Sequence, residues 1–306
     1  MISASAPGKV ILFGEHAVVY GRPALAVPVT QVRATATIRP ASDGFWLDVP
    51  ALGSRYRLED ATLNDPLAMA VRLVLAKAGQ APPDAAVRLE SNVPVAAGLG
   101  SGAAVCTAVV RAVAGALGLA LSHAEVSELV FETETLLHGT PSGIDNTVVA
   151  YGQPVYFIKG QPPRPFNVAC PFNLLIGDTG RPSPTKLAVA DVRAGYEREP
   201  ERYNRLFDEI GALAELAHTR LEGGVPAALG PLMVKNHGLL QALGVSSPEL
   251  DHLVATAMAA GAGGAKLSGG GRGGNMLALV TPATETAVRE ALLAAGAAGV
   301  VGTEVR

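Results

Sequence analysis

A glycine-rich segment in the first half of the chain has the residue types that bind phosphate. It reads Pro94-Val95-Ala96-Ala97-Gly98-Leu99-Gly100-Ser101-Gly102-Ala103-Ala104 and leads directly into a predicted helix. Glycines let backbone N–H groups converge on phosphate oxygens, and the start of a helix adds the positive end of its macrodipole. We interpret the segment as an anion-binding loop, against the simpler alternative of an ordinary tight turn.

Two widespread nucleotide-binding patterns fit this segment poorly. The Walker pattern requires a Lys followed by Ser or Thr after the last glycine, where this chain has Ala103 and Ala104. Gly98, Gly100 and Ala103 match the dinucleotide fingerprint, which also requires a strand after the helix and an acidic ribose ligand about 20 residues on. A second helix is predicted there instead, so the pattern gives little support to an NAD-dependent oxidoreductase.

Two smaller clusters carry groups that could act on a phosphate ester or an alcohol. A second glycine-rich segment, Pro7-Gly8-Lys9-Val10-Ile11-Leu12-Phe13-Gly14-Glu15-His16, places Lys9 beside a short predicted strand, and Glu15 and His16 just past the end of that strand. Asp145 follows a glycine-containing turn, after a predicted helix that carries Glu134. A lone lysine is usually a solvated charge and a lone aspartate usually a turn or cap residue. The combination of these groups with glycine-rich loops in one chain favours a functional interpretation.

A third glycine-rich segment, Lys266-Leu267-Ser268-Gly269-Gly270-Gly271-Arg272-Gly273-Gly274-Asn275, lies near the end of the chain. In isolation such a composition is typical of a flexible linker. Here strands are predicted on both sides, which favours a rigid loop that a ligand approaches closely.

Hydrophobic periodicity predicts a mixed chain of strands and helices around these segments. The predicted strands are Val10–Phe13, Val32–Ile38, Phe45–Val49, Ala86–Glu90, Tyr156–Ile158, one beginning at Leu174, Lys266–Ser268, Met276–Val280 and Val300–Val305. The predicted helices are Pro66–Ala78, Ala103–Leu117, Ser122–Leu137, Lys186–Glu197, Arg202–Leu221, Ala227–Leu243, Ser247–Ala260 and Glu285–Ala295. A segment of low periodicity between Gly160 and Pro171 suggests a domain boundary.

Length and composition exclude several classes of protein. With 306 residues we expect two domains, and 49% hydrophobic residues exclude intrinsic disorder. A net charge of −3 provides no basic field for nucleic acid or for a lipid surface. No apolar stretch reaches the roughly 20 residues that span a bilayer, and no secretory signal is apparent, so we expect a cytoplasmic protein. Cys106 and Cys170 are expected to be free thiols, with no structural zinc.

Taken together, the three motifs resemble those of the GHMP kinase superfamily, which includes galactokinase, homoserine kinase, mevalonate kinase and phosphomevalonate kinase. They occur in the family's order. The segment Gly14-Glu15-His16-Ala17-Val18-Val19-Tyr20-Gly21 is similar to the mevalonate kinase branch. Further similarities occur at Asp178-Thr179, Thr185-Lys186, Asn236-His237-Gly238-Leu239, Leu243-Gly244-Val245 and Leu250-Asp251, so the resemblance covers nearly the whole chain.

The resemblance implies an α+β, two-domain fold. Residues 1–168 would form an ATP-binding domain like ribosomal protein S5 domain 2, with a left-handed βαβ unit. Residues 169–306 would form a ferredoxin-like domain, with the active site between the two. The implied activity is transfer of phosphate from ATP to the 5-hydroxyl of (R)-mevalonate in isoprenoid biosynthesis, by a cytoplasmic monomer or homodimer without a nucleic-acid or membrane partner.

The resemblance also implies roles for individual residues. The implied catalytic residues are Asp145, near the 5-hydroxyl, and Lys9, near the transferring phosphoryl group. The implied ATP-binding residues are Pro94, Ala97, Gly98, Leu99, Gly100, Ser101, Gly102, Ala103 and Ala104. The implied substrate-binding residues are Glu15, His16, Thr185, Ser268, Gly269 and Gly270. The implied Mg²⁺ ligands are Glu134 and Ser101.

Three positions depart from the family pattern. Gly102 stands where the family commonly has a second hydroxyl residue associated with Mg²⁺, which leaves Ser101 either as a substitute ligand or as a helix cap. Arg272 and Asn275 replace small residues in the third motif, where either could alter the phosphate neighbourhood or Arg272 could face solvent.

Other functions remain open from sequence alone. A phosphomevalonate kinase or a mevalonate 3-kinase or decarboxylase relative would need additional cations for a phosphorylated substrate, for which Arg22, Arg181 and Lys186 are candidates. A catalytically silent ligand-binding relative is a further alternative, although such a protein would have no need for Lys9, Glu134 and Asp145 together.

Overall fold

The structure is a computed structural model that describes residues 1–94, 98–138 and 141–306. The chain forms two compact units, each assembled from several segments. The units comprise Met1–Gly8, Val32–Val95 and Gly100–Gly152 for the first, and Lys9–Gln31, Ala96–Leu99 and Gln153–Arg306 for the second. Two long strands, β1 (Ile2–Phe13) and β2 (Ala24–Pro40), run through both units. The predicted family domains, 1–168 and 169–306, are a different division of the chain and stay a prediction.

In the first unit, helices accompany a small sheet. Its remaining elements are β3 (Phe45–Val49), β4 (Ser54–Arg57), α1 (Pro66–Ala78), β5 (Ala85–Ser91), α2 (Ser101–Ala116), α3 (His123–His138) and α4 (Ile144–Tyr151). The strand order is β4-β3-β5-β2, in which β3 and β5 are parallel and the other neighbours antiparallel. Helix α2 packs against α1, α3 and α4. The apolar sequence of α2 follows from this central position.

Local signals in the sequence account for the ends of these helices. Asp65 caps α1 by accepting hydrogen bonds from Leu67 N (2.9 Å) and Ala68 N (3.1 Å), and Gly79 ends the helix with a φ of 62°. Ser122 and Glu125 form the predicted capping box before α3, because each side chain bonds the backbone N–H of the other.

The second unit contains an antiparallel sheet covered by helices. Its elements are β6 (Val155–Phe157), β7 (Arg164–Pro165), β8 (Phe172–Asp178), α5 (Thr185–Arg198), α6 (Pro200–Glu222), α7 (Leu229–Ala242), α8 (Pro248–Ala259), β9 (Gly264–Ser268), β10 (Asn275–Val280), α9 (Glu285–Ala294) and β11 (Gly299–Val305). Strand β6 pairs with the first residues of β2 and with β7, and these strands belong to the other sheet. The remaining strands form the antiparallel sheet in the order β11-β8-β10-β9, so β9 is an edge strand. Helix α7 packs on β9, α8 on β9 and β10, and α9 on β8 and β11.

Most predicted elements are present, with some differences at their ends. Strands β1 and β2 begin earlier than predicted. Their first residues include Ser3 and Ser5 in β1 and Pro28 in β2, which interrupt the run of hydrophobic residues. Three of these elements were not predicted, β4, α4 and β7. None of the helices within the described residues has the length and apolar character needed to cross a bilayer.

Candidate active site

Lys9 is held inside the second unit by the glycine-rich loop. Its side chain is 3% exposed, and Nζ donates a hydrogen bond to the Gly98 carbonyl at 3.2 Å. Its backbone N–H donates to the Leu99 carbonyl at 2.9 Å. A buried lysine is uncommon unless it has partners. Lys9 therefore contacts the glycine-rich segment at Gly98 and Leu99, and its catalytic role stays a prediction.

The loop has the backbone conformation that only glycine adopts easily. Gly98 and Gly100 have φ values of 79° and 70°, in the left-handed region. Gly100 is the N-cap of α2, and the Ala104 N–H donates to its carbonyl at 2.9 Å. The N–H groups of the first turn of α2 are therefore directed toward the loop, where they can donate to an anion. Of the other predicted ATP-binding residues, Ala97 lies outside the described residues.

Ser101 is the first residue of α2, and this position decides one of the alternatives above. Because Gly100 occupies the N-cap position, the interpretation of Ser101 as a helix cap is wrong. Gly102, Ala103 and Ala104 complete the first turn, and both alanines are buried. A second hydroxyl at position 102 is absent from the sequence, so Ser101 is the hydroxyl of this turn.

Asp145 lies in the first turn of α4, in the first unit. The helix begins after Gly143, which has a φ of 90°. Its first turn is fixed to α3 because Asn146 Nδ2 donates to the Ser127 carbonyl (3.0 Å) and to Ser127 Oγ (2.9 Å). Asp145 is half-buried. The residue that was predicted in a turn is thus presented by a short, well-anchored helix.

Glu134 lies on α3 and is 4% exposed. Burial raises the pKa of the Cys106 thiol in α2 to about 12, and the charge of Glu134 adds to this rise. Glu134 therefore lies close to α2, the helix that begins with Ser101. Carboxylate and hydroxyl oxygens are the hard ligands that Mg²⁺ prefers. Across residues 1–94, 98–138 and 141–306, no group of three or more His, Cys, Asp or Glu side chains is arranged for a metal.

The turn after β1 carries His16 in a strained conformation. Gly14 has a φ of 95°, and a Cβ there would collide with the backbone of Ala24. His16 has a φ of 60°, which side chains other than glycine rarely adopt. Its Nε2–H donates to the Gly270 carbonyl at 3.1 Å, so the ring reaches the third glycine-rich segment. Backbone strain of this kind clusters at functional sites.

The third glycine-rich segment is packed tightly, as the strands on both sides predict. Ser268 Oγ donates to the Ile11 carbonyl at 2.8 Å. A Cβ on Gly270 would lie 2.5 Å from Thr185 Oγ1, so the glycine permits the close approach of Thr185. Together with the bond from His16, these contacts bring four predicted substrate-binding residues together in the second unit. Gly269 adjoins them, with a φ of 84° and open space beside it.

Arg272 and Asn275 have definite places in this loop. Arg272 Nη1 donates to Asp191 at 2.5 Å, and its guanidinium also donates to the Gly244 carbonyl. Arg272 is therefore partly exposed to solvent and is held by Asp191 and the Gly244 carbonyl. Asn275 is 2% exposed, and its Nδ2 lies 3.9 Å from the position of a Cβ on Gly98. Asn275 therefore adjoins the residue whose carbonyl binds Lys9.

Glu15 differs from the other predicted substrate residues. It is 1% exposed, and its two carboxylate oxygens accept hydrogen bonds from Lys266 and Asn236. This arrangement favours an indirect role over direct contact with substrate. Sequence reasoning assigned no role to Lys266, although a lysine between apolar residues of a strand, Ala265 and Leu267, is a signal that it needs a buried acidic partner.

The burial of His16 leads to a prediction about the pH dependence of stability. Burial is the main reason that the pKa of His16 is lowered to about 4; its bond to Gly270 opposes this change and the charge of Arg272 adds to it. The unfolded chain, with an ordinary value of about 6.5, binds more protons between these two pH values. The contribution of neutral His16 to the free energy of unfolding is therefore fully present above about pH 6.5 and is lost as the pH falls toward 4. We expect the His16 contribution to fall by about 3 kcal/mol over this range.

Urea unfolding at several pH values measures this loss. The variant His16→Gln should lose about 3 kcal/mol less than the wild type between pH 7 and pH 4. The matched control His252→Gln replaces an exposed histidine of α8 and should follow the wild type. Equal pH dependence of His16→Gln and the wild type would contradict the buried, neutral state of His16.

Comparison with known proteins places the chain in a family. The model of the GHMP kinases N terminal domain matches residues 66–153, and that of the GHMP kinases C terminal domain matches residues 204–298. The chain is 39% identical to a mevalonate kinase of Pyrococcus furiosus, over 96% of this chain and 93% of the relative.

Solved structures agree with this match. The structure of L. major mevalonate kinase in complex with R-mevalonate has a TM-score of 0.85 and 30% identity, covering 99% of this chain and 95% of that one. The structure of Methanococcus jannaschii mevalonate kinase has a TM-score of 0.85 and 26% identity, covering 99% and 96%. The two-domain α+β fold implied by the sequence motifs is thereby confirmed, and the chain belongs to the mevalonate kinase family of the GHMP kinases.

Proposed function

We propose that this protein transfers the γ-phosphoryl group of ATP to the 5-hydroxyl of (R)-mevalonate, giving ADP and 5-phosphomevalonate. The observation that carries the proposal is the 39% identity to a mevalonate kinase over 96% of the chain. The arrangement of His16, Thr185, Ser268 and Gly270 in one place supports it, because these are the residues that the resemblance assigns to the substrate.

The reaction places modest demands on the chemistry of the protein. Phosphoryl transfer passes through a loose, highly charged transition state, so catalysis consists mainly of positioning and charge stabilisation. Asp145 orients the 5-hydroxyl and accepts its proton as the new P–O bond forms. Lys9 stabilises the negative charge on the transferring phosphoryl group. The bond between γ-phosphorus and the bridging oxygen breaks, and ADP leaves with that electron pair.

The loop before α2 binds the ATP phosphates in this proposal. The N–H groups at the start of α2 and the macrodipole of a helix of 16 residues provide a local positive field in a chain of net charge −3. The positive φ values of Gly98 and Gly100 permit the backbone to turn its N–H groups toward phosphate oxygens. Pro94 precedes these glycines in the sequence, and Leu99, which is buried, lies between them.

Glu134 and Ser101 are the residues that would hold Mg²⁺. When bound, the ion neutralises phosphate charge and orients the β- and γ-phosphates. Glu134 offers a carboxylate from α3 and Ser101 a hydroxyl from the first turn of α2, and these two helices pack against each other. Since Gly102 supplies no hydroxyl, we propose that Glu134 is the principal protein ligand.

This assignment predicts a difference between two variants. We expect Glu134→Gln to raise the Mg²⁺ concentration for half-maximal rate about tenfold or more, because it removes the charged ligand. Ser101→Ala should raise it much less, and Glu132→Gln, which alters an exposed acid of the same helix, should leave it unchanged. Titration of Mg²⁺ at saturating mevalonate and fixed ATP measures all three. A larger shift in Ser101→Ala than in Glu134→Gln would make Ser101 the principal ligand.

A coupled assay of ADP release tests the proposed substrate. The acceptors are mevalonate, its 5-phosphate, its 5-diphosphate, homoserine and galactose, each at fixed ATP and Mg²⁺. We expect fast turnover with mevalonate alone. Preference for a phosphorylated acceptor would overturn the substrate assignment and leave membership of the GHMP kinases intact.

A further inference from the structure

A buried ion pair lies directly behind the turn that carries His16. The side chains of Lys266, on β9, and Glu15 are both fully buried, and Lys266 Nζ donates to Glu15 Oε1. Lys266 Nζ also donates to the Leu267 carbonyl at 2.6 Å. Burial lowers the pKa of Lys266, and Glu15 opposes this effect. A pair of this kind is stable only when the remaining polar atoms of both groups are also satisfied.

Helix α7 supplies the partner that completes Glu15. Asn236 is 0% exposed, and its Nδ2 donates to Glu15 Oε2 at 3.1 Å. Both carboxylate oxygens of Glu15 are therefore fixed, one by β9 and one by α7. Asn236 thus determines the orientation of the residue that immediately precedes His16.

The next residue of α7, His237, holds β9 itself. The Leu267 N–H donates to His237 Nδ1 at 3.3 Å. Nδ1 therefore carries no proton, and Nε2–H donates to Asp251 Oδ1 at 3.1 Å. Because β9 is an edge strand, the N–H of Leu267 would otherwise need another partner. His237 thus fixes the residue that immediately precedes Ser268.

Glycines explain why α7 can reach both segments. A Cβ on Gly230, in the first turn of α7, would collide with the carbonyl of Gly263, and one on Gly264 would collide with Gly230. The helix and the strand β9 are therefore in backbone contact at this point. Asn236 and His237 follow about two turns later on the same helix, within hydrogen-bonding distance of Glu15 and Leu267.

We propose that Asn236 and His237 are a pair of positioning residues for phosphoryl transfer. Asn236 acts through Glu15 on the turn that carries His16, and His237 acts through Leu267 on the strand end that carries Ser268. Both residues are buried. The proposal rests on the proposed function for the roles of His16 and Ser268, and the strained φ of His16 is the conformation that such support must maintain.

Substitutions of His237 separate a positioning role from simple packing. In His237→Asn the side-chain amide oxygen can replace Nδ1 as the acceptor for the Leu267 N–H. In His237→Gln the amide lies near the position that Nε2 occupies in histidine, so this variant retains a partner for Asp251 and loses the acceptor for Leu267. We expect kcat/KM for the acceptor to fall about tenfold to a hundredfold in His237→Gln and to be largely retained in His237→Asn. Asn236→Leu, of similar volume but without the donor, should behave like His237→Gln.

The division of the effect between kinetic constants is the decisive readout. We expect KM for the acceptor to rise with the fall in kcat/KM, while KM for ATP stays within about twofold of the wild type, because the start of α2 is untouched. Val288→Ala, which shortens a buried side chain of α9, controls for destabilisation and should change neither KM. All variants are first shown to be folded by circular dichroism at the assay temperature.

Two outcomes would overturn the proposal. The first is wild-type kinetics in both Asn236→Leu and His237→Gln. The second is an imidazole ¹⁵N spectrum of the wild type in which His237 carries its proton on Nδ1, since this would exclude the bond from Leu267. The acceptor in these assays is the compound, among the five named under the proposed function, that the wild type phosphorylates. An error in the proposed substrate would therefore change the acceptor used and leave the comparison between variants intact.

Discussion

Asp145→Asn is expected to reduce kcat by about 10²-fold or more while the fold and KM for ATP are preserved. The substitution keeps the shape of the side chain in the first turn of α4 and removes its ability to accept the proton of the 5-hydroxyl. The anchor of this turn, the pair of bonds from Asn146 to Ser127, is unaffected. Steady-state kinetics with mevalonate and ATP varied separately, together with urea unfolding, measure the three quantities.

A control and a contradicting result define this test. Asp60→Asn changes an exposed aspartate of the same unit and should have wild-type kinetics. Turnover of Asp145→Asn close to that of the wild type would remove Asp145 from the proposed catalytic role. A large loss of stability in the variant would instead assign Asp145 to the support of α4.

Lys9→Met should lower kcat by about 10²- to 10³-fold and also raise KM for ATP. The cation is buried and bonded to the Gly98 carbonyl, at the start of the loop proposed to bind phosphate. Methionine retains most of the volume, and the backbone bond from residue 9 to Leu99 does not depend on the side chain. One group therefore serves both the binding of ATP and the charge of the transition state, so both kinetic constants should change.

The comparison variant is Lys159→Met, which removes an exposed lysine of the second unit and should leave both constants unchanged. If Lys9→Met also leaves both unchanged, the lysine only supports the Gly98 carbonyl, and the proposed role in charge stabilisation is wrong.

Local sequence signals were sufficient for much of the fold. Helix α1 begins at Pro66 and ends just before Gly79, as the proline at its start and the glycine after its end predict. The capping box at Ser122 is likewise a signal contained within four residues. Helix α4 was missed because Gly143 before it is typical of a turn, and its Thr and Val residues are β-branched and favour strands.

The features that sequence did not predict depend on residues far apart in the chain. Lys266 and Glu15 are 251 positions apart, and Asn236 and Glu15 are 221 apart. No local pattern identifies which buried acid accompanies which buried base. The family resemblance supplied His16, Thr185, Ser268 and Gly270 as a group, and the structure brings these four together in the second unit. The resemblance could not show that both carboxylate oxygens of Glu15 already accept hydrogen bonds from other residues.

The central claim is that the product is the phosphate ester of the 5-hydroxyl, and identification of that product tests it most directly. The enzyme is incubated with (R)-mevalonate, ATP and Mg²⁺, and the product is examined by ³¹P NMR with proton correlation. We predict a phosphomonoester whose phosphorus couples to the C5 methylene protons, formed together with one equivalent of ADP. ADP formation with a phosphoester lacking that coupling, as at the tertiary C3 oxygen, or ADP formation without any new ester, would contradict the account.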